Sequence, residues 1–79
     1  GTARIPVALI TGTTVARRDA ARQARGPQLD ARAHLVLRPD VDPVLRIDLG
    51  DPDDPTPYWL VSTRRPEELA AAIAAGTSR

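Results

Sequence analysis

Eight prolines spread along 79 residues set the limits on this fold. A proline holds φ near about −65° and offers no N–H. Helices and central strands must therefore fit between Pro6, Pro27, Pro39, Pro43, Pro52, Pro55, Pro57 and Pro66, which leaves room for short elements only. At 8.5 kDa the chain is one domain, residues 1–79. Barrels and doubly wound sheets, which need far longer chains, are excluded. Thirteen of its apolar residues are alanine, leaving twenty larger side chains for a thin core. The longest all-apolar run, the seven residues Leu69–Ala75, is too short to span a membrane.

Ile5-Pro6-Val7-Ala8-Leu9-Ile10 predicts an edge strand, since Pro6 denies the ladder one donor, and Thr11-Gly12-Thr13 predicts a bend. Asp19–Arg25, DAARQAR, predicts a short helix with Asp19 as its N-cap and Gly26-Pro27 as its stop. Ala33–Arg38 and Val44–Leu49 predict strands. In the second, Leu45, Ile47 and Leu49 alternate with Arg46 and Asp48, giving one buried and one wet face. The linker Pro39-Asp40-Val41-Asp42-Pro43 predicts that these two strands form an antiparallel hairpin. Gly50–Pro57, with three Pro and three Asp, predicts a loop.

Tyr58–Ser62 predicts a strand that sends the only two aromatics to opposite faces. Pro66 suits the first position of a helix over 66–75, and Glu67 and Glu68 complement its dipole. Leu69 and Ile73 share one face of that helix, and Gly76 is expected to end it. The order predicts an α+β fold: a small antiparallel sheet of about four strands with the C-terminal helix packed on it. Leu69 and Ile73 are expected to meet Leu45, Ile47, Leu49 and one of the aromatics.

The run Asp51–Leu69, DPDDPTPYWLVSTRRPEEL, is distinctive, as are Arg25-Gly26-Pro27 and Ala33-His34-Leu35-Val36-Leu37-Arg38-Pro39 upstream. Together they resemble a family of alanine-rich actinobacterial membrane proteins of unknown function. Basic residues that are all Arg, with no Lys, Asn, Phe, Met or Cys, fit a GC-rich bacterial genome. The resemblance covers nearly the whole chain and implies two N-terminal transmembrane helices followed by a small soluble domain. This chain would be most of that domain: soluble by itself, and membrane-anchored and cytoplasmic in the full-length protein. The start at Gly1 also fits an excised fragment. The second half is similar to the end of bacterial pleckstrin-homology-like domains, a last strand followed by a T-x-x-P-E-x-L helix. That likeness implies part of a seven-stranded barrel. Neither resemblance implies catalytic residues.

Charge is uneven, with seven Arg and two Asp in residues 1–38 but one Arg and six Asp in 39–57. Arg17, Arg18, Arg22 and Arg25 offer a ridge for phosphate or anionic lipid head groups, since 18, 22 and 25 share a helix face. A solvated helix face is the plainer account. Asp48, Asp51, Asp53 and Asp54 gather the oxygens that hard cations want, without the calcium-loop spacing. Turn capping in a proline-stiffened loop is the simpler account there. Arg64-Arg65 stand within reach of Glu67, Glu68 or the acidic loop. His34 is the only histidine and has neither a second His nor a Cys to complete a zinc site. It reads as a strand-face residue, and no metal or cofactor is expected. Of Tyr58 and Trp59, one is expected in the core and the other at a partner contact.

These residues predict a non-catalytic interaction or scaffold domain that binds a protein partner, with Trp59 at the contact. An anionic membrane-surface sensor using the Arg17–Arg25 ridge is the alternative. A metal-dependent enzyme using the Asp48–Asp54 loop ranks last. A net charge of +1 argues against a nucleic-acid partner. If first strands are missing, Ile5–Ile10 becomes an unpaired seam, which predicts a homodimer of the isolated chain.

Overall fold

The computed structural model describes residues 7–77. A 3-10 turn at Val7–Leu9 leads into β1 (Ile10–Ala16), α1 (Asp19–Arg25), β2 (His34–Val36), β3 (Val44–Leu49), β4 (Tyr58–Ser62) and α2 (Pro66–Thr77). The strands form one sheet in the order β1-β3-β4-β2. The expected α+β class is what forms, with the C-terminal helix laid over β1 and β3. Gly50–Pro57 is the loop that its prolines require, joining β3 to β4.

The strand with the clearest alternation takes the centre. β3 pairs antiparallel with β1, from Ile10↔Leu49 to Ala16↔Val44. On its other side it pairs antiparallel with β4, from Val44↔Ser62 to Asp48↔Tyr58. Thr11 is an extra residue in the β1 ladder, because Ile10 and Gly12 face the adjacent Leu49 and Asp48. That is a bulge, which bends the strand without ending it.

The hairpin expected between β2 and β3 does not form. β2 pairs instead with β4, and in parallel, through His34↔Trp59, Leu35↔Leu60 and Val36↔Val61. Both ladders of β3 are already taken by longer strands. Past β2 the Arg38 N–H donates to Ser62 Oγ (3.0 Å) at the end of β4, and the Val41 N–H donates to the Arg38 carbonyl (3.1 Å). Val41 is buried at that turn, and the chain enters β3 on the far side of β4. The sheet is therefore mixed rather than antiparallel, and it is open, with β1 and β2 as edges. This strand order does not point to a closed barrel.

The first strand is also displaced from its expected place. Ile5 and Pro6 lie outside the described residues, Val7–Leu9 is a 3-10 turn, and the ladder runs through Thr11-Gly12-Thr13, expected as a bend. Ile10, Thr13, Thr14 and Val15 are β-branched and suit a pleated surface. Ile10 pairs with Leu49 of its own chain, so that end of the expected seam is not an unpaired edge.

The sheet is covered on both faces. On one, Val44, Tyr58 and Leu60 pack with Ala21 of α1, flanked by Ala16, Ala24, Leu29, Ala33 and Leu37. On the other, Leu45 and Ile47 are buried beneath α2. Tyr58 therefore anchors the face opposite α2 rather than meeting Leu69 and Ile73, both of which are half-buried. The cap residue of α1 is Arg18 and not Asp19, and its side chain makes no capping bond. α2 continues through Gly76 instead of ending there.

Candidate functional site

The four arginines named from the sequence do not share one free face. Arg17 stands just before α1 and grips Glu67 in the first turn of α2 by two bonds, Nη1 to Oε2 and Nη2 to Oε1, each 2.5 Å. The pair holds the Glu67 carboxyl below its ordinary value and raises the Arg17 guanidinium. Arg22 pairs with Asp19 inside α1. Arg25, half-buried, donates from Nη1 to the Val41 carbonyl at 3.3 Å. The Arg18 N–H donates to Asp42 Oδ2 at 2.9 Å. Three of the four guanidinium groups are thus engaged within the molecule.

Asp51 and Asp54 of the acidic loop serve its turns. Asp51 Oδ1 accepts the Asp53 N–H (2.8 Å), and Asp54 Oδ1 accepts the Thr56 N–H (2.9 Å). The Thr56 bond holds the Asp54 carboxyl below its usual range. Such Asx turns are the ordinary work of aspartate in loops. Asp48 instead accepts from Arg46 Nε at 2.7 Å. Among the described residues, no group of three or more His, Cys, Asp or Glu is placed to hold a metal ion. Arg64 pairs with Asp40 and Arg65 with Glu68, both on the surface.

Two surfaces remain with chemistry to offer. The first is the outer edge of β2. His34, Leu35 and Val36 are all exposed, and Leu35 and Val36, at 41% and 43%, are the large apolar side chains left open to solvent. Among the described residues β2 pairs on one side only, which leaves the backbone N–H and C=O groups of its other side without a strand partner there. The His34 ring tilts against Trp59 across the parallel ladder, with centroids 4.0 Å apart. Trp59 is half-buried behind it.

The second is a groove of about 310 Å³ between α1 and the sheet. Its origin is a mismatch of lengths. A helix of seven residues is about 10 Å long, too short to cover four strands spaced about 4.8 Å apart. Alanines 16, 20 and 24 line the groove and leave it unfilled. Arg46 reaches in from β3, its guanidinium carbon 4.0 Å from the centroid of the Tyr58 ring. Tyr58 Oη in turn accepts the Asp30 N–H at 2.9 Å. The Asp30 carboxyl is held below its usual range, chiefly by Arg32. Alternation along β3 correctly marks Arg46 as exposed. What it faces depends on the register with β4 and on α1, neither of which is local to its sequence.

Among the described residues, no helix is long and apolar enough to cross a membrane. No curated protein and no solved structure matches the chain. The model of the family described as "Protein of unknown function (DUF3093)" matches residues 1–73. With nearly all of its length matched, the chain belongs to that family.

Proposed function

We propose that this is a non-catalytic interaction domain whose β2 edge takes an extended apolar segment of a protein partner, added as a further strand. The observation that carries the reading is the exposure of Leu35 and Val36 on a strand that, among the described residues, pairs along one side only. An open edge templates strand addition: main-chain bonds give affinity, and alternating side chains give specificity. Leu35 and Val36 point to opposite sheet faces, so an added strand meets an apolar neighbour on each. Trp59 lies one strand further in, and large aromatics are where contact energy concentrates. The exposed Arg38 favours a partner segment with an acidic flank. The resemblance of the Asp51–Leu69 run to two-helix membrane proteins is what suggests a tether that holds the domain beside a membrane.

Lipid sensing through Arg17, Arg18, Arg22 and Arg25 has less support, because three of these guanidinium groups already have partners. Metal-dependent catalysis at Asp48–Asp54 has less again, because three of those four carboxylates, Asp48, Asp51 and Asp54, serve Arg46 and the loop's own N–H groups. The test is a screen of extended peptides, followed by Val36→Asp and Leu35→Asp in the binder assay. Bound peptides should perturb the amide resonances of residues 33–38, and each substitution should weaken binding about tenfold or more. Binders that map elsewhere, or that ignore both substitutions, overturn the reading. Sedimentation over a concentration series tests the remaining occupant, since a dimer abolished by Val36→Asp would make a second copy the partner.

A further inference from the structure

We propose that the groove between α1 and the sheet binds a small carboxylate carrying a short apolar body. This surface is distinct from the outer edge of β2, which lies beyond β4. Its polar wall is Arg46. The guanidinium carbon lies over the Tyr58 ring, the Arg46 Nε donates to Asp48, and the two contacts restrain the group. Its two terminal nitrogens have no hydrogen-bond partner among the described residues. That pair of nitrogens is the edge that a carboxylate meets with two parallel N–H···O bonds. Thr14, paired with Arg46 across the ladder, and the side-chain amides of Gln23 and Gln28 line the same groove and supply further donors.

The remaining walls are apolar, with Ala16 beside the fully buried Leu60. Ligand sites commonly combine a mostly apolar lining with a few placed polar groups, at volumes from about 300 Å³ upward. The groove, at about 310 Å³, stands at the small end of that range. Charge selects the class of ligand. Arg46 and Asp48 together carry no net charge and the Asp30 carboxylate also acts on Arg46, so a monoanion is held by the two terminal nitrogens rather than by excess charge, and a dianionic phosphate is repelled more strongly by the same carboxylates. The carboxylate belongs either to a free acid or to the end of a polypeptide.

Amide-detected NMR titration decides, with hexanoate and N-acetyl-Ala-Val as the acid probes. Hexanol and N-acetyl-Ala-Val amide are their neutral counterparts. Both acids should give saturable shifts centred on Thr14, Gln23, Gln28 and Arg46, and each neutral probe should bind about tenfold more weakly or worse. The stronger of the two acids identifies the source of the carboxylate. Ala20→Leu, which fills the groove with apolar atoms, and Arg46→Gln should each abolish the response. If Arg46→Gln does not fold, Ala20→Leu and the neutral probes still decide the matter. Neutral probes that bind as well as the acids, shifts unchanged by Ala20→Leu, or no saturable response to either acid would each overturn the assignment.

Discussion

Arg18 carries a backbone conformation that its own side chain opposes. It sits at φ 53 and ψ −119 between β1 and α1. The Ala20 N–H donates to the Arg17 carbonyl at 3.1 Å, closing a four-residue turn around it. These angles are those of the first central residue of a type II′ turn, where glycine is favoured. A side chain with a Cβ costs about 1–3 kcal/mol in such a region. The turn is held from both sides, by Glu67 on Arg17 and by Asp42 on the Arg18 N–H. Relief of the strain is partly offset by the greater freedom of glycine in the unfolded chain. Arg18→Gly should therefore stabilise the fold by about 1 kcal/mol and raise Tm by about 4–8 °C. A Tm that stays level or falls in thermal unfolding would show that the Arg18 side chain contributes more than the strain costs. Gly50 is the contrasting case: a Cβ there would stand 2.8 Å from Thr11 Cγ2, while its N–H donates to the Leu9 carbonyl.

Between elements, the Arg17–Glu67 pair joins the start of α1 to the first turn of α2 across fifty residues of sequence. Glu67 titrates below its ordinary 4.5 in the folded chain because Arg17 bonds its charged form. Asp30 and Asp54 lie below 3.8 for the same kind of reason, through Arg32 and the Thr56 N–H. A depressed carboxylate contributes stability above its unfolded pKa and loses it as pH falls through the folded value. Tm should therefore hold level near neutrality and fall in acid, starting below 4.5. Glu67→Gln should flatten part of that fall, modestly, because the pair is exposed to solvent. An acid profile unchanged by Glu67→Gln would show that the pair contributes nothing to stability.

The same pair marks what could be read from the sequence. Pro66 with Glu67 and Glu68, the DAARQAR segment and the alternation of β3 are local signals, and each produced its element. The spacing of 22 and 25 falls on one turn of α1, whereas Arg18, expected on the same face, lies in the turn before the helix. Arg22 pairs locally with Asp19, but Asp42 on the Arg18 N–H, Val41 on Arg25 and Glu67 on the neighbouring Arg17 come from elsewhere in the chain, and no local pattern reveals them. The groove was hidden for the same reason, since Arg46 meets Tyr58 only once β3 and β4 are in register. The parallel partner of β2 was hidden too, because two prolines and two aspartates in a linker predict a turn without saying which strand lies beyond it.

For the whole molecule, the order β1-β3-β4-β2 sets a sequence of events as well as a shape. β3 and β4 are joined by one loop and close on each other locally. β2 precedes them both in the chain, yet has no place to dock until β4 is formed, and it docks by three residues. Distant pairings of few contacts form late in folding and open early in local fluctuations. Native-state hydrogen exchange should show residues 34–36 far less protected than 44–49 and 58–62, with a denaturant dependence too small for global unfolding. Protection equal to that of β3 would show that β2 opens only with the rest. A strand that leaves alone breaks the hold of Arg38 on Ser62 and uncovers the β4 edge at Trp59, Leu60 and Val61. The molecule thus holds in reserve a second edge, more aromatic than the first.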